Sequence, residues 1–372
     1  MNSVIPEPIA RQPWGMLIPL FMLVGFGAAV LYSAAGGSMQ PFASSHLIRF
    51  SVFLVMASII TILPRDFVRL MIYPAYLVVL ALLVAVEAMG ALRGGSQRWL
   101  DLGFMVLQPS EVMKPVIVVT LAQFYSTLPV GMITGWRALV LPGALIAVPV
   151  MLVLLQPDLG TSLAIAFGGG VVMLLAGLPM RWFVTGGIAA VALAPLIFFF
   201  GLKEYQQQRV LTMFNSDEDL LGASYHINQS KIAIGSGGLF GKGFNNGSQS
   251  HLQYLPEPQT DFVFATMAEE WGLLGGLFVI GVFGIILRFG LKVAREANDR
   301  FSSLLAAGMS ATIFFYIAVN LMMVMGMAPV VGIPLPFMSH GGSSMLTNMI
   351  CIGALMMVNR WNRNAPRGGL SR

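Results

Sequence analysis

One acidic side chain stands where a membrane-embedded helix would begin. Asp261 follows the polar run 255–260 and comes directly before a long apolar segment. An ionisable side chain at the edge of hydrocarbon is costly, so such a residue is by default a candidate for function. The alternative is a helix cap, because Thr260 or Asp261 opening an apolar run suits that position. A cap alone does not explain the two carboxylates that follow, Glu269 and Glu270.

A second group of polar residues falls in a short loop between apolar segments. Arg98 and Trp99 stand inside the run 97–101. One interpretation is a tryptophan of the interfacial belt beside an arginine that extends its charge to the headgroups. The other interpretation is a pair that contacts the substrate. The residues themselves leave both open.

A pair of opposite charges occurs inside an apolar segment. Glu111 and Lys114 follow Pro109, which suits the first turn of a helix. Their spacing of three places them on one helix face, where they can pair. A lone charge in hydrocarbon costs several kcal/mol, so pairing is the minimum requirement. A structural pair and a pair that faces the substrate fit this pattern equally well.

A glycine-rich run at 235–243 resembles a nucleotide-binding motif only superficially. It fails the Walker and dinucleotide patterns, because 236 is Ser, 240 is Phe and 243 is Gly. Its backbone N–H groups, with Lys231 and Lys242 nearby, are suited to a phosphate or pyrophosphate. In a separate tight turn, Asp158 either begins the next helix or contacts the substrate.

Near the end of the chain, prolines and glycines exclude a regular helix. Three prolines and repeated glycines fall within 326–337 and precede Ser339. Non-helical backbone at membrane depth must line a cavity or be buried in protein. Ser339 is therefore a candidate substrate contact, while a serine hydrolase is disfavoured because His340 is adjacent and no acid is near in sequence.

The composition requires membrane helices to position these residues. The chain has 372 residues, of which 56% are hydrophobic and 10% are charged, whereas a soluble domain carries about 25% charged residues. Each apolar run is close to the ~20 residues that a spanning helix needs. We predict an all-α, polytopic, single integral membrane domain over 1–372, with ten spans at 14–35, 47–64, 67–90, 109–128, 137–156, 160–178, 180–202, 262–287, 303–327 and 340–359.

The basic residues predict the orientation of these spans. If both termini are cytoplasmic, the inner loops and tails hold thirteen Lys or Arg residues and the outer loops hold six. Positive charge favours the cytoplasmic side. The long loop 203–259, between the seventh and eighth spans, then lies outside with Asp261. The net charge of +5 follows from topology and does not indicate nucleic acid.

Together these residues suit a lipid-linked substrate that carries a pyrophosphate. Glycosyl transfer from such a donor needs a base for the acceptor hydroxyl and positive charge for the leaving pyrophosphate. The donor is already activated, so no ATP is needed. A transporter or flippase is the alternative, because it also uses buried charges and broken helices. The two halves of the chain differ and show no inverted repeat, which favours the transferase.

At these stretches the chain resembles the SEDS family of cell-wall polymerases, and specifically its RodA branch. The resemblance implies a ten-span SEDS fold and peptidoglycan glycosyltransferase activity on lipid II. The family's catalytic aspartate falls on Asp261, its Glu/Lys pair on Glu111 and Lys114, and its Arg-Trp motif on Arg98 and Trp99. The similarity runs from the first span to the last, and the matching stretches are 97–100, 108–114, 156–162, 225–243, 255–272 and 326–344.

The resemblance also implies partners and a location. Family members work in the cytoplasmic membrane with a class B penicillin-binding protein that supplies the transpeptidase, and the RodA branch serves the elongation complex that keeps cells rod-shaped. No cofactor is assigned, although a divalent cation stays open. Two positions depart from the family pattern: Gln259 stands where relatives usually have His, and His340 where they usually have Tyr.

Overall fold

The computed structural model describes residues 12–89, 91–93, 96–101, 106–133, 135–201, 207, 223–252, 254–255 and 257–364. Some basic residues counted for the predicted orientation lie outside these ranges, namely Arg11, Lys203, Arg209, Arg367 and Arg372. Of the predicted loop 203–259, residues 203–206, 208–222, 253 and 256 also lie outside them. The helices are α1 (Trp14–Ala34), α2 (Phe42–Ile62), α3 (Arg65–Met89), α4 (Pro109–Thr127), α5 (Trp136–Leu155), α6 (Leu159–Leu175), α7 (Met180–Leu196), α8 (Ala223–Gly237), α9 (Ser248–His251), α10 (Val263–Arg295), α11 (Arg300–Val324) and α12 (Gly342–Asn364).

Every predicted span coincides with one of these helices. Within the described ranges, seven helices are long and apolar enough to cross a membrane, namely α1, α2, α3, α5, α10, α11 and α12, while α6 and α7 are shorter apolar helices. The remaining predicted span is α4, which carries Glu111 and Lys114. The multi-pass helical membrane fold is thereby confirmed. The main differences in length are that α2 begins at Phe42 and that α10 continues to Arg295.

The loop after α3 contains a small antiparallel sheet that the prediction did not include. Its strands are β1 (Ala91–Arg93), β2 (Ser96–Asp101) and β3 (Val106–Leu107), in the order β1-β2-β3. Arg93 pairs with Ser96, and the two residues between them are both Gly, a dipeptide typical of two-residue hairpins. This sheet positions Arg98 and Trp99, because both belong to β2.

The centre of the bundle is formed by α4, α10, α11 and α12. Helix α11 packs against α4, α6 and α10, and α12 packs against α2. The outer helices instead expose apolar stripes, as on α2, where Ile48, Val52, Val55 and Ile59 are 54–64% exposed. Residues spaced three or four apart share a helix face, so this stripe is suited to lipid contact.

Two interruptions break the regular helices at the end of the bundle that carries Asp261. Inside α10, Gly272 has φ 63° and ψ −158°, which kinks the helix. Between α11 and α12, residues 325–341 are non-helical, as the prolines predict. We call residues 325–341 the broken segment. Both interruptions lie close in space to polar residues that the sequence marks as candidates.

Candidate active site

Asp261 is half-buried in the turn that leads into α10. Its backbone carbonyl accepts a hydrogen bond from Asn320 Nδ2 at 2.9 Å, and the same amide donates to the carbonyl of Ile333 at 2.7 Å. A Cβ added to Gly332 would lie 3.6 Å from Asp261 Oδ2. The side chain of Asn320 on α11 therefore holds the turn of Asp261 against the broken segment.

The start of α10 does not match the helix-cap alternative. The helix begins at Val263, so Phe262 occupies the position before it. The hydroxyl of Thr260 donates to the carbonyl and to Oε2 of Glu257, at 3.4 and 3.3 Å, rather than serving the first turn. Asp261 thus lies one residue outside the cap position, in the cluster around the broken segment.

The broken segment packs through its backbone against glycines of two helices. A Cβ on Gly160 of α6 would lie 2.8 Å from the carbonyl oxygen of Val331, and one on Gly27 of α1 would lie 2.7 Å from Met338 Cα. Ser339 is 3% exposed, and its hydroxyl accepts a hydrogen bond from the N–H of Leu335 at 2.9 Å. Ser339 therefore closes a turn within this segment.

Arg98 and Asp158 form a brace at the end of α5. Arg98 Nε donates to the carbonyl of Gln156 at 2.9 Å, and Arg98 Nη1 lies 3.6 Å from Asp158 Oδ2. Asp158 also accepts from the N–H of Thr161 at 3.1 Å, which makes it the cap of α6. Asp158 therefore begins α6 as its cap. Because Gly160 contacts Val331, this brace adjoins the broken segment.

Glu111 and Lys114 form the predicted pair, deep in the bundle. Lys114 Nζ lies 2.6 Å from Glu111 Oε1, and the two residues are 1% and 7% exposed. The hydroxyl of Tyr316 accepts from Lys114 at 2.6 Å and donates to Glu111 Oε2. Thr347 donates to Glu111 Oε2 at 3.1 Å. A buried ion pair needs such extra hydrogen bonds to offset desolvation, and here α11 and α12 supply them to the pair on α4.

The kink of α10 is filled by residues 237–243, which we call the glycine turn. The N–H of Lys242 donates to the carbonyl of Glu269 at 3.0 Å, and the N–H of Leu273 donates to the carbonyl of Gly238 at 2.9 Å. The kink at Gly272 frees these helix groups, and the turn satisfies them. Two further bonds repeat the pattern one residue on, from Gly243 to Glu270 and from Leu274 to Leu239.

This close packing explains the glycines better than a phosphate does. A Cβ on Gly237 or Gly241 would lie 2.0 Å from a carbonyl oxygen of α10. A Cβ on Gly272 would lie 2.4 Å from the backbone nitrogen of Gly241. The amides of Lys242 and Gly243 are therefore occupied within the fold. They do not form the phosphate cradle that the glycine run suggests.

The two candidate lysines have different surroundings, because Lys242 belongs to the glycine turn and Lys231 to α8. Lys242 Nζ lies 2.6 Å from Oε1 of the fully buried Glu269. Lys231 is exposed on α8, and its Nζ lies 2.7 Å from where a Cβ on Gly326 would stand, at the beginning of the broken segment. The neighbouring Ser230 donates to the carbonyl of Val324 at 2.8 Å, which fixes α8 to the end of α11.

The two positions that depart from the family pattern meet in the structure. The N–H of His340 donates to the carbonyl of Gln259 at 2.8 Å. The Nε2 atom of His340 lies 3.0 Å from Arg49 Nη1. Because a guanidinium can only donate, Nε2 is the acceptor and the ring proton is on Nδ1. His340 thus links α2 to the turn that carries Asp261.

The described residues offer little for a metal ion. No group of three His, Cys, Asp or Glu side chains in the described ranges converges as ligands. The described residues thus form no preformed three-ligand metal site, and we assign no step of the chemistry to a metal ion.

Several residues that shape the site lie outside the motifs that the sequence singles out. Tyr316 and Asn320 are polar groups on the apolar helix α11, and they lie 1% and 0% exposed. A polar residue inside an apolar span is itself a signal, because hydrocarbon offers it no partner. Arg49 carried the same signal on α2. Tyr316 and Asn320 are four residues apart, which places them on one helix face.

The matches to known proteins extend over nearly the whole chain. Residues 14–364 match the family model for FtsW, RodA and SpoVE, described as a cell cycle protein. The chain is 41% identical to the peptidoglycan glycosyltransferase MrdB of Escherichia coli K12, over 92% of each chain.

Two solved structures have the same fold. One is described as showing structural coordination of polymerization and crosslinking by a peptidoglycan synthase complex, with a TM-score of 0.82, 29% identity and coverage of 95% of this chain and 99% of that chain. The other is RodA of Thermus thermophilus, with a TM-score of 0.71, 28% identity and coverage of 94% and 97%. The chain therefore belongs to the SEDS family of FtsW, RodA and SpoVE proteins, on its RodA side.

Proposed function

We propose that this protein is a peptidoglycan glycosyltransferase that polymerises lipid II into glycan strands at the outer face of the cytoplasmic membrane during cell elongation. The observation that carries the proposal is the half-buried Asp261, held by Asn320 against the broken segment. The 41% identity to MrdB, which is named as a peptidoglycan glycosyltransferase, supports the class of reaction.

In this reaction Asp261 acts as the general base. The acceptor sugar's hydroxyl gives its proton to the Asp261 carboxylate while its oxygen bonds to the anomeric carbon of the donor. The bond from that carbon to the pyrophosphate breaks, and undecaprenyl pyrophosphate leaves with the electron pair. One base and no protein nucleophile imply a single displacement with inversion. A positioned base contributes roughly 10²–10⁴-fold to the rate.

Positive charge at the outer end serves the leaving pyrophosphate. Arg98 and Lys242 each face a carboxylate, which offsets part of their charge. Lys231 is the stronger candidate, because its Nζ lies against the broken segment at Gly326. We also propose that Trp99, half-buried in β2, contacts the substrate. The further proposed contacts are those of the sequence analysis, namely Glu111, Lys114, Asp158 and Ser339.

The proposed location and partners follow from the charge distribution and from the family. Both termini are cytoplasmic, and 203–259 is extracytoplasmic with Asp261, because positive charge favours the cytoplasmic side. The partner is a class B penicillin-binding protein within the elongation complex. The match to a peptidoglycan synthase complex, at a TM-score of 0.82, supports an assembly of this kind.

The test is polymerisation of purified lipid II by Asp261→Asn, assayed together with the penicillin-binding partner. The amide keeps the shape and removes the base, so we expect a folded protein whose rate falls by about 10²-fold or more. Glu257→Gln is the matched control, because Glu257 is an exposed carboxylate in the same turn. Near-normal polymerisation by Asp261→Asn would overturn the role of Asp261.

A second measurement separates the transferase from a flippase. Sealed vesicles that present lipid II only on the outer-equivalent face should still yield glycan strands. If the protein moves labelled lipid II across the bilayer and makes no polymer with its partner present, the transporter alternative is correct.

A further inference from the structure

The end of α10 that lies far from Asp261 carries a distinct surface. No Asp, Glu, Lys or Arg occurs from Trp271 to Leu287. Three basic residues then follow on the same helix, Arg288, Lys292 and Arg295, and all three are exposed. The change from a long apolar run to three cations is what a helix shows where it leaves hydrocarbon and enters the headgroup layer.

These cations border a shallow surface groove of about 450 Å³ that is lined by residues of α10. We call it the basic groove, and its lining residues are Gly284, Leu287, Arg288, Leu291, Lys292, Arg295 and Glu296. Spacings of four and seven residues share one helix face, so Gly284, Leu291 and the three cations belong to one stripe. From 288 to 295 the helix rises about 10 Å. The groove therefore has an apolar half on the bilayer side and a cationic half at the helix end.

The cationic half has an excess of positive charge. Lys292 Nζ lies 3.8 Å from Glu296 Oε1, and both side chains are more than half exposed. In the part of the chain that the structure describes, no carboxylate lies within ion-pairing distance of Arg288 or Arg295. Three cations against one carboxylate leave a net charge that an anion would neutralise.

The apolar half has room for a hydrocarbon chain. A Cβ added to Gly284 would meet no atom within 4 Å, so the helix surface is open there. Leu291, two turns further along the same stripe, is 46% exposed. Because residue 284 has no side chain, the stripe has a shallow notch one turn before Arg288.

We propose that the basic groove binds an acidic phospholipid of the cytoplasmic leaflet. The phosphodiester lies among Arg288, Lys292 and Arg295, and an acyl chain runs past Leu291 over Gly284. Such headgroups are attracted to clusters of basic residues at the cytoplasmic end of membrane helices. An acidic peptide would neutralise the cations but would leave the apolar half of the groove empty, because Gly284 lies about 6 Å further into the apolar stretch than Arg288. Only the choice of leaflet rests on the orientation proposed above.

The test is the binding of phosphatidylglycerol and of phosphatidylcholine with the same acyl chains, measured by native mass spectrometry on the full chain in detergent. We expect the protein to retain phosphatidylglycerol preferentially. The triple variant Arg288→Gln, Lys292→Gln and Arg295→Gln should lower its affinity for phosphatidylglycerol by about tenfold or more. Because these side chains are exposed, the variant should keep the thermal unfolding temperature of the wild type.

Two further variants decide between a site and general surface charge. The triple variant Arg137→Gln, Arg181→Gln and Arg363→Gln removes three exposed charges from the same side of the membrane and should leave the affinity unchanged. Gly284→Leu fills the apolar half without altering charge and should weaken binding. Equal loss in both triple variants, equal retention of the two lipids by the wild type, or unchanged binding by Gly284→Leu would each overturn the proposal.

Discussion

The hydroxyl oxygen of Tyr316 lies 2.6 Å from the ammonium nitrogen of Lys114 and donates its own proton to Glu111. The three side chains form a closed triangle, because Lys114 also pairs with Glu111 at 2.6 Å. The ring of Tyr316 adds a cation–π contact, with Lys114 Nζ 4.5 Å from the ring centroid. The hydroxyl of Tyr316 therefore connects α11 to the ion pair on α4 through two hydrogen bonds.

Tyr316→Phe removes that link and keeps the ring. We expect the free energy of unfolding to fall by about 1.5–3 kcal/mol, because hydrogen bonds to charged groups are lost. We also expect slower polymerisation, since the pair is freed to move. Thermal unfolding in detergent and the lipid II assay measure the two effects.

Tyr125→Phe is the matched control for Tyr316→Phe. Tyr125 is equally buried, but its hydroxyl donates to the backbone carbonyl of Ala138 at 2.6 Å rather than to a charge. Its loss should cost about 1 kcal/mol and leave polymerisation unchanged. If both variants lowered activity alike, the triangle would have no special part in it.

Lys114→Met should be more damaging than removal of the whole pair. It leaves Glu111 buried without its cation, which costs about 3–5 kcal/mol. Combining it with Glu111→Gln removes both charges and should recover much of that stability. Purified proteins compared by thermal unfolding and by lipid II polymerisation test this, and full activity in the double variant would show that the pair is dispensable scaffold.

Gly241→Ala should destabilise the protein, because it disturbs the packing of the glycine turn against α10. Gly241 has φ +80°, and an added Cβ would lie 2.0 Å from the carbonyl oxygen of Glu270. We expect a loss of about 1–3 kcal/mol from overpacking and from the unfavourable φ. Gly235→Ala is the control, because a Cβ there meets no atom within 4 Å and lies in α8. Equal unfolding temperatures of the two variants would contradict the close packing of the glycine turn.

The orientation can be tested by cysteine labelling of intact cells in a Cys351→Ala background. Phe240 is 78% exposed in the glycine turn, so Phe240→Cys should react with a membrane-impermeant maleimide from outside. Asn298→Cys, in the exposed connection between α10 and α11, should react only after the inner face is opened. The reverse labelling pattern would show that the chain is inserted with the opposite orientation.

Apolar run length and proline position sufficed to predict the membrane helices. Each span must satisfy its own backbone in hydrocarbon, so a local pattern determines it. The pairing of Glu111 with Lys114 was also predictable from a local pattern, because residues three apart lie on one helix face. The broken segment was predictable as non-helical because Pro329, Pro334 and Pro336 cannot continue a helix.

What the sequence did not show depends on contacts between distant segments. The glycine turn fits into the kink at Gly272 through backbone groups, and no side-chain pattern records which backbone groups meet. Tyr316 and Thr347 contact Glu111 from positions 205 and 236 residues later in the chain. Asn320 likewise joins Asp261 to Ile333 across three separate elements.

The joint between the glycine turn and α10 has a mechanical consequence. The two are fastened by main-chain hydrogen bonds on both sides of Gly272, in addition to the ion pair of Lys242 with Glu269. A displacement of the glycine turn is therefore transmitted to α10 through backbone hydrogen bonds and does not depend on flexible side chains. Because Asp261 lies just before the start of that helix, a protein bound to the glycine turn would act directly on the helix that carries the proposed general base.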